Sequence, residues 1–178
     1  GLQMEIVSVR DACLRGLLKL VTALGTDEWI ESNKMLEELK QNLCQRVWIA
    51  KFDQDSTENA KFAEQLWQKA RLSGMIKGDQ RLADDVLSDV VHPMTCIREA
   101  SAEALAAILK SEEMKSNVNI ILESLLETYT DKLEMTPAVL DSFGRVRQKQ
   151  LDHWEPRSGV ALALAKIAPH YGQSGNLV

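Results

Sequence analysis

The chain has 178 residues, a net charge of −5 at pH 7, 45% hydrophobic and 26% charged side chains, and only 5% aromatics. This is the balance of a globular protein with a core of its own, and the scarcity of aromatics beside plentiful Leu, Ala and Glu favours helix over sheet. The negative balance argues against a nucleic-acid backbone as the main partner, since phosphate binding wants clustered Lys and Arg, and no apolar run approaches the roughly 18 residues that span a bilayer.

The first predicted element is a helix over residues 5–24, in which Val9-Arg10, Cys13 and Leu17 fall on one face. A chain that opens on Gly1, without a signal peptide, and enters a helical pattern almost at once reads as an excised piece. Next comes a helix from Trp29 to about Phe52, with Leu36, Leu39, Leu43 and Val47 at three- and four-residue intervals. Asp55 followed by Glu58 resembles a capping box and opens a helix where Asn59-Ala60, Ala63 and Trp67 echo the first pattern.

Leu82, Val86 and Val90 define a helix from Asp79 to Val91, which His92-Pro93 ends because proline disfavours helical geometry in the residue before it. Ile97-Arg98, Ser101 and Leu105 then repeat the pattern cleanly. A long helix from about Glu113 to Leu133 carries Val118, Leu122, Leu125, Tyr129 and Leu133, and Thr136-Pro137 closes it. From Pro137 to Asp152 the pattern is poorest, and it reads as a short helical turn and a loop with Gly144 as a turn glycine. No segment alternates long enough for a strand. Pro156-Arg157, Val160 and Leu164 give the fourth copy, with Pro156 in the first turn of a helix and Pro169 stopping it.

The four copies start at positions 9, 59, 97 and 156, an irregular period around the roughly 40–47 residues of HEAT and armadillo units. The expected fold is all-α, an α-solenoid of HEAT/armadillo-like helical hairpins forming an α/α superhelix. It would comprise one segment over 1–178, with a B helix at 5–24, hairpins at about 28–73, 79–110 and 113–169, and a frayed tail at 170–178.

Arg10, Arg98 and Arg157 occupy equivalent places in successive copies. The expectation is a structural ladder in which such arginines meet acids of stacked repeats, with Asp53 or Asp55 placed beside Arg98. A row of ligand-binding arginines is the weaker alternative. His92, His153 and His170 are isolated, which suits turns and caps better than metal ligation or catalysis. Asp84, Asp85 and Asp89 read as the wet face of a helix rather than a carboxylate dyad. Trp29, Trp48, Trp67 and Trp154 read as packing residues rather than a peptide-binding stripe. Cys13, Cys44 and Cys96 are odd in number and far apart, as reduced thiols acting as small buried hydrophobes. No phosphate loop, dinucleotide fingerprint or nucleophile elbow is present. The sequence therefore points to no catalytic residue, no metal site and no cofactor.

Several stretches in order carry a resemblance. They are Arg46-Val-Trp-Ile-Ala-Lys-Phe-Asp53, Phe62-Ala-Glu-Gln-Leu-Trp67, Asp89-Val-Val-His92 with Ile97-Arg-Glu-Ala-Ser-Ala-Glu-Ala-Leu105, and Tyr129-Thr-Asp-Lys-Leu133. Pro137-Ala-Val-Leu-Asp-Ser-Phe-Gly-Arg-Val146 and Trp154-Glu-Pro-Arg-Ser-Gly-Val-Ala-Leu-Ala-Leu164 follow. From about Val9 to Ile167 the chain resembles the translational activators of general amino-acid control, very large eukaryotic HEAT-repeat proteins. The resemblance implies a cytoplasmic, non-catalytic scaffold that partners the ribosome and adjacent HEAT repeats in the amino-acid starvation and stalled-ribosome response. Through other regions of the full-length protein it implies an initiation factor two kinase and an ABC-type ATPase. The segment precedes both of those regions, so no residue of either site carries over. It implies no membrane and no direct sequence-specific nucleic acid. The rival readings are a HEAT scaffold or transport adaptor for other proteins, and a HEAT-like nucleic-acid enzyme.

Overall fold

The computed structural model describes residues 2–24, 43–72 and 80–171. Trp29, Leu36, Leu39 and residues 172–178 of the expected tail lie outside the described residues, whereas His170 and Tyr171, also expected in that tail, belong to the last helix.

Helix α1, Val7–Leu24, turns Arg10, Leu14 and Val21 inward at the three- and four-residue spacing that its sequence sets. Residues 43–50 are helical (α2), and Thr57–Lys69 form α3, which lies along α1. Trp48 and Trp67 hold α2 to α3, their rings 5.0 Å apart. The cap of α3 is Ser56, whose hydroxyl accepts from the Asn59 amide, and not Asp55 as the spacing to Glu58 suggested. Asp55 is engaged elsewhere, by Arg10.

Helix α4, Gln80–Val90, packs on α5, Thr95–Leu109. Ten of the 15 residues of α5 are buried, including four alanines, so this helix is enclosed on nearly every side. Small side chains let neighbours approach, and the Trp48 indole reaches across from α2 to donate to the Ala104 carbonyl at 3.1 Å. The long helix expected from Glu113 begins instead as a 3-10 helix, Glu112–Asn117, before α6, Val118–Asp131. The final helix α7, Trp154–Tyr171, packs along α5 and α6. It continues two residues beyond Pro169, which therefore sits in the last turn rather than stopping the helix.

Gly159 decides how close α7 can come. A Cβ at this position would lie 1.8 Å from the Val90 carbonyl oxygen, so only a glycine lets the backbone of α7 rest on the end of α4.

Between α6 and α7 the expected helical turn and loop is an antiparallel β-hairpin. Strand β1, Val139–Leu140, pairs with β2, Val146–Gln148, in the register Val139 to Gln148 and Leu140 to Val146. Arg147 is the extra residue of a bulge. The turn is Asp141-Ser142-Phe143-Gly144-Arg145. The Gly144 amide donates to the Asp141 carbonyl, Gly144 takes φ +75, and the Asp141 carboxylate accepts from the amides of Phe143 and Arg145. A three-residue loop of this kind needs a left-handed residue before the second strand, which glycine supplies.

Candidate functional site

The most heavily bonded polar group among the described residues is the guanidinium of Arg10, 3% exposed near the start of α1. Its Nε and Nη2 donate to the two carboxylate oxygens of Asp53 at 2.8 and 3.1 Å, and Nη2 also donates to Asp55 at 2.9 Å. Nη1 donates to the carbonyls of Met4 and Glu5 at 2.7 and 2.9 Å. Burial works against the charge, but the bond to Asp53, the charge of Asp53 and the bond to Asp55 outweigh it and raise the arginine above its ordinary pKa. Asn59 completes the junction by donating to both the Val7 carbonyl and Asp53. Helix α1 is thus stitched to the connection between α2 and α3.

Arg98, at the equivalent place in α5 and 1% exposed, has a different environment. Its Nη1 donates to the carbonyls of His92 and Pro93 at 2.9 and 2.7 Å, six and five residues back, as Arg10 does to Met4 and Glu5. Nη2 donates to Thr95 Oγ1, and the guanidinium lies 5.5 Å from the Trp154 ring centre. It meets neither Asp53 nor Asp55, contrary to the expected pairing, because both acids are taken by Arg10 across the preceding repeat. Its Nε is buried without a partner. Arg157 bonds Asp152 at 2.7 Å and the Lys132 carbonyl at 2.8 Å, tying the start of α7 to the end of α6. The structure therefore brings Arg10, Asp53 and Asp55 together and leaves Arg98 and Arg157 in two separate arrangements.

Asp89, expected on the wet face of its helix, is 8% exposed and accepts from Gln3 and Gln45 at 2.8 Å each. Burial raises its pKa above the ordinary carboxylate value. Neither glutamine is signalled by periodicity, because a hydrogen-bond network across helices leaves no local pattern. His92 sits three residues on, its Nδ1 accepting from the Met94 amide at 3.1 Å. Burial first, and then the nearby arginines Arg98 and Arg46, lower its pKa. His153 lies 2.9 Å from the Thr136 hydroxyl at the base of the β-hairpin. Trp48 and Trp67 are core residues, whereas Trp154 is half exposed. Cys13, Cys44 and Cys96 form no disulfide, and Cys44 is buried.

Beside Arg10 lies a cavity of about 20 Å³, lined in part by Leu2, Ile49 and Cys96, room for about one water. An open groove between α4 and α6 is lined by Asp84, Glu127 and Asp131. Among the described residues no group of three His, Cys, Asp or Glu is placed to hold a metal ion, and no helix is long and apolar enough to cross a membrane. What this arrangement does chemically is fix helices against one another.

The family described as "Stalled ribosome sensor GCN1, HEAT repeats" matches residues 33–177. The protein named "Stalled ribosome sensor GCN1" from Homo sapiens is 35% identical over 176 residues, which cover 98% of this chain and 6% of the relative. Its counterpart from Mus musculus is 34% identical over the same share of each. The chain thus spans a small fraction of the length of the relatives it matches. No solved structure matches it.

Proposed function

This chain belongs to the HEAT-repeat family of the stalled ribosome sensor GCN1, and on that premise we propose that it is a non-catalytic spacer and scaffold segment of a ribosome-associated solenoid. The observation that carries the reading is the pairing of family with architecture. Within the match, residues 43–72 and 80–171 fold chiefly into successive helices whose strongest polar contacts, at Arg98 and Arg157, serve helix ends and junctions, as Arg10 does in the helix before them. A solenoid of this kind holds distant sites at fixed spacing, because each repeat touches its neighbours and little else.

Its division is a B helix at 5–24 and hairpins at about 28–73, 79–110 and 113–169, with Arg10, Asp53, Asp55, Arg98 and Arg157 as inter-repeat and intra-repeat ties. The whole protein works in the cytoplasm and carries the signal of a stalled ribosome to an initiation factor two kinase. That kinase and an ABC-type ATPase engage regions outside this segment.

The test is sedimentation of the full-length protein through sucrose gradients of lysate with stalled translation. It should travel with the ribosomes, and a form lacking residues 43–171 should travel with them less well. A protein that stays at the top of the gradient with translation stalled would refute the reading.

A further inference from the structure

The β-hairpin is exposed on every face. Val139, Leu140 and Val146 are each about half exposed, and Phe143 at the tip is 83% exposed. A lone two-stranded hairpin is marginal in water, and here the backbone turn is fixed by Asp141 and Gly144 while no strand residue is buried. The charge of the hairpin runs against that of the chain. Arg145, Arg147 and Lys149 lie within five residues, all exposed, and none forms an ion pair among the described residues. Asp141, at the turn, is committed to the amides of Phe143 and Arg145, and Asp152, beyond the second strand, to Arg157. The Arg145 guanidinium lies 6.0 Å from the Phe143 ring centre. In a chain of net charge −5, this is a local basic strand with an aromatic tip.

We infer that the hairpin over Val139–Gln148, with Lys149, is an RNA-binding finger, its cations set on the phosphodiester backbone and Phe143 stacked on an unpaired base. Two forked guanidinium groups and an ammonium supply the charge complement of consecutive phosphates. An exposed ring gives a stacking platform that is indifferent to base identity. Leu140 and Val146, paired on the rung next to the turn, form an apolar floor beside it. The bulge at Arg147 adds twist that turns the strand out of a flat edge. The contact is to backbone and base faces, so it carries no sequence specificity. The inference rests on the ribosome reading above, since the ribosome surface offers such RNA.

The test uses the 178-residue chain and a fluorescent stem-loop RNA with an all-uridine loop, followed by ribosome co-sedimentation of the same variants in the full-length protein. The triple change Arg145→Glu, Arg147→Glu and Lys149→Glu should weaken RNA binding by tenfold or more and flatten the log–log salt slope by about two. Phe143→Ala should weaken it by roughly tenfold with the slope unchanged. Melting should not move, as none of these side chains has an internal ion partner. Should the triple variant fold poorly, Arg147→Gln alone should still cost about threefold and lower the slope by about 0.7. Charge reversal that leaves RNA affinity intact would overturn the inference. So would ribosome association that is lost in variants still binding RNA normally, since a protein surface would then be what takes the hairpin. If the chain ignores the RNA while the full-length protein sediments with ribosomes, the finger is refuted and the ribosome reading stands. If the full-length protein does not sediment with ribosomes, the ribosome reading fails, whatever the RNA result.

Discussion

Removing the Arg10 side chain strands a carboxylate, whereas removing that of Arg98 strands backbone carbonyls. Asp53 is 7% exposed at its side chain and shares both oxygens with Arg10, so Arg10→Ala should cost about 3–5 kcal/mol by leaving a buried charge unpaired. Arg98→Ala should cost about 1–3 kcal/mol, through lost charge-assisted bonds to His92, Pro93 and Thr95. Urea denaturation with an Asp53→Ala cycle separates the two. Coupling to Asp53 should be large for Arg10 and near zero for Arg98, and equal couplings would contradict the geometry. His92 supplies a pH dependence. Its folded pKa lies below the ordinary 6.5, so the unfolded chain takes up the proton first and stability falls as pH drops from about 6.5 to the lower folded value. Melting temperature should fall on acidification through this window, and His92→Gln should flatten the fall. Asp89 has the opposite sign. Its raised pKa means the buried charge opposes folding at neutral pH, and Asp89→Asn, which still accepts from Gln3 and Gln45, should raise the melting temperature at pH 7.

At the scale of elements, two glycines in helices make a controlled pair. Gly159→Ala drives a methyl into the Val90 carbonyl and should destabilise by about 2–3 kcal/mol as α7 is pushed off α4. Gly16 in α1 has open space around it, so Gly16→Ala should stabilise by about 0.5–1 kcal/mol through helix propensity alone. Calorimetric melts of both would check this, and a tolerated Gly159→Ala would show that the close approach is not required. The helices were legible because Leu82, Val86 and Val90, or Ile97, Ser101 and Leu105, repeat at helical spacing, and burial follows that spacing. The β-hairpin was not legible, because neither face is buried and so no apolar alternation marks it. The signal that was available is the turn: Asp141 followed by Gly144 is the chemistry of a three-residue hairpin loop. Arg10, Asp53 and Asp55 could be singled out as residue types in repeat positions. Which arginine met the acids depended on how α1 lies against α3, and that distance no local pattern records. The burial of Asp89 escapes the pattern for the same reason, since Gln3 reaches it from the segment before α1 and Gln45 from α2.

At the scale of the molecule, a stack of helices joined at their ends explains why the buried arginines Arg10 and Arg98 sit near helix starts rather than in a cleft. The match takes in 98% of this chain and 6% of its human relative, so the chain corresponds to a small part of that protein's length. The overall negative charge and the basic hairpin are compatible because they act at different ranges, the first over the whole surface and the second within about a Debye length of the finger. The most direct measurement is single-particle imaging of the full-length protein on stalled ribosomes. The account predicts density for residues 43–171 as consecutive helical hairpins, continuous with helices on either side and lying in one superhelix alongside the ribosome. A closed globular domain set apart from its neighbours, or ribosomes carrying no such density with the protein bound, would contradict it.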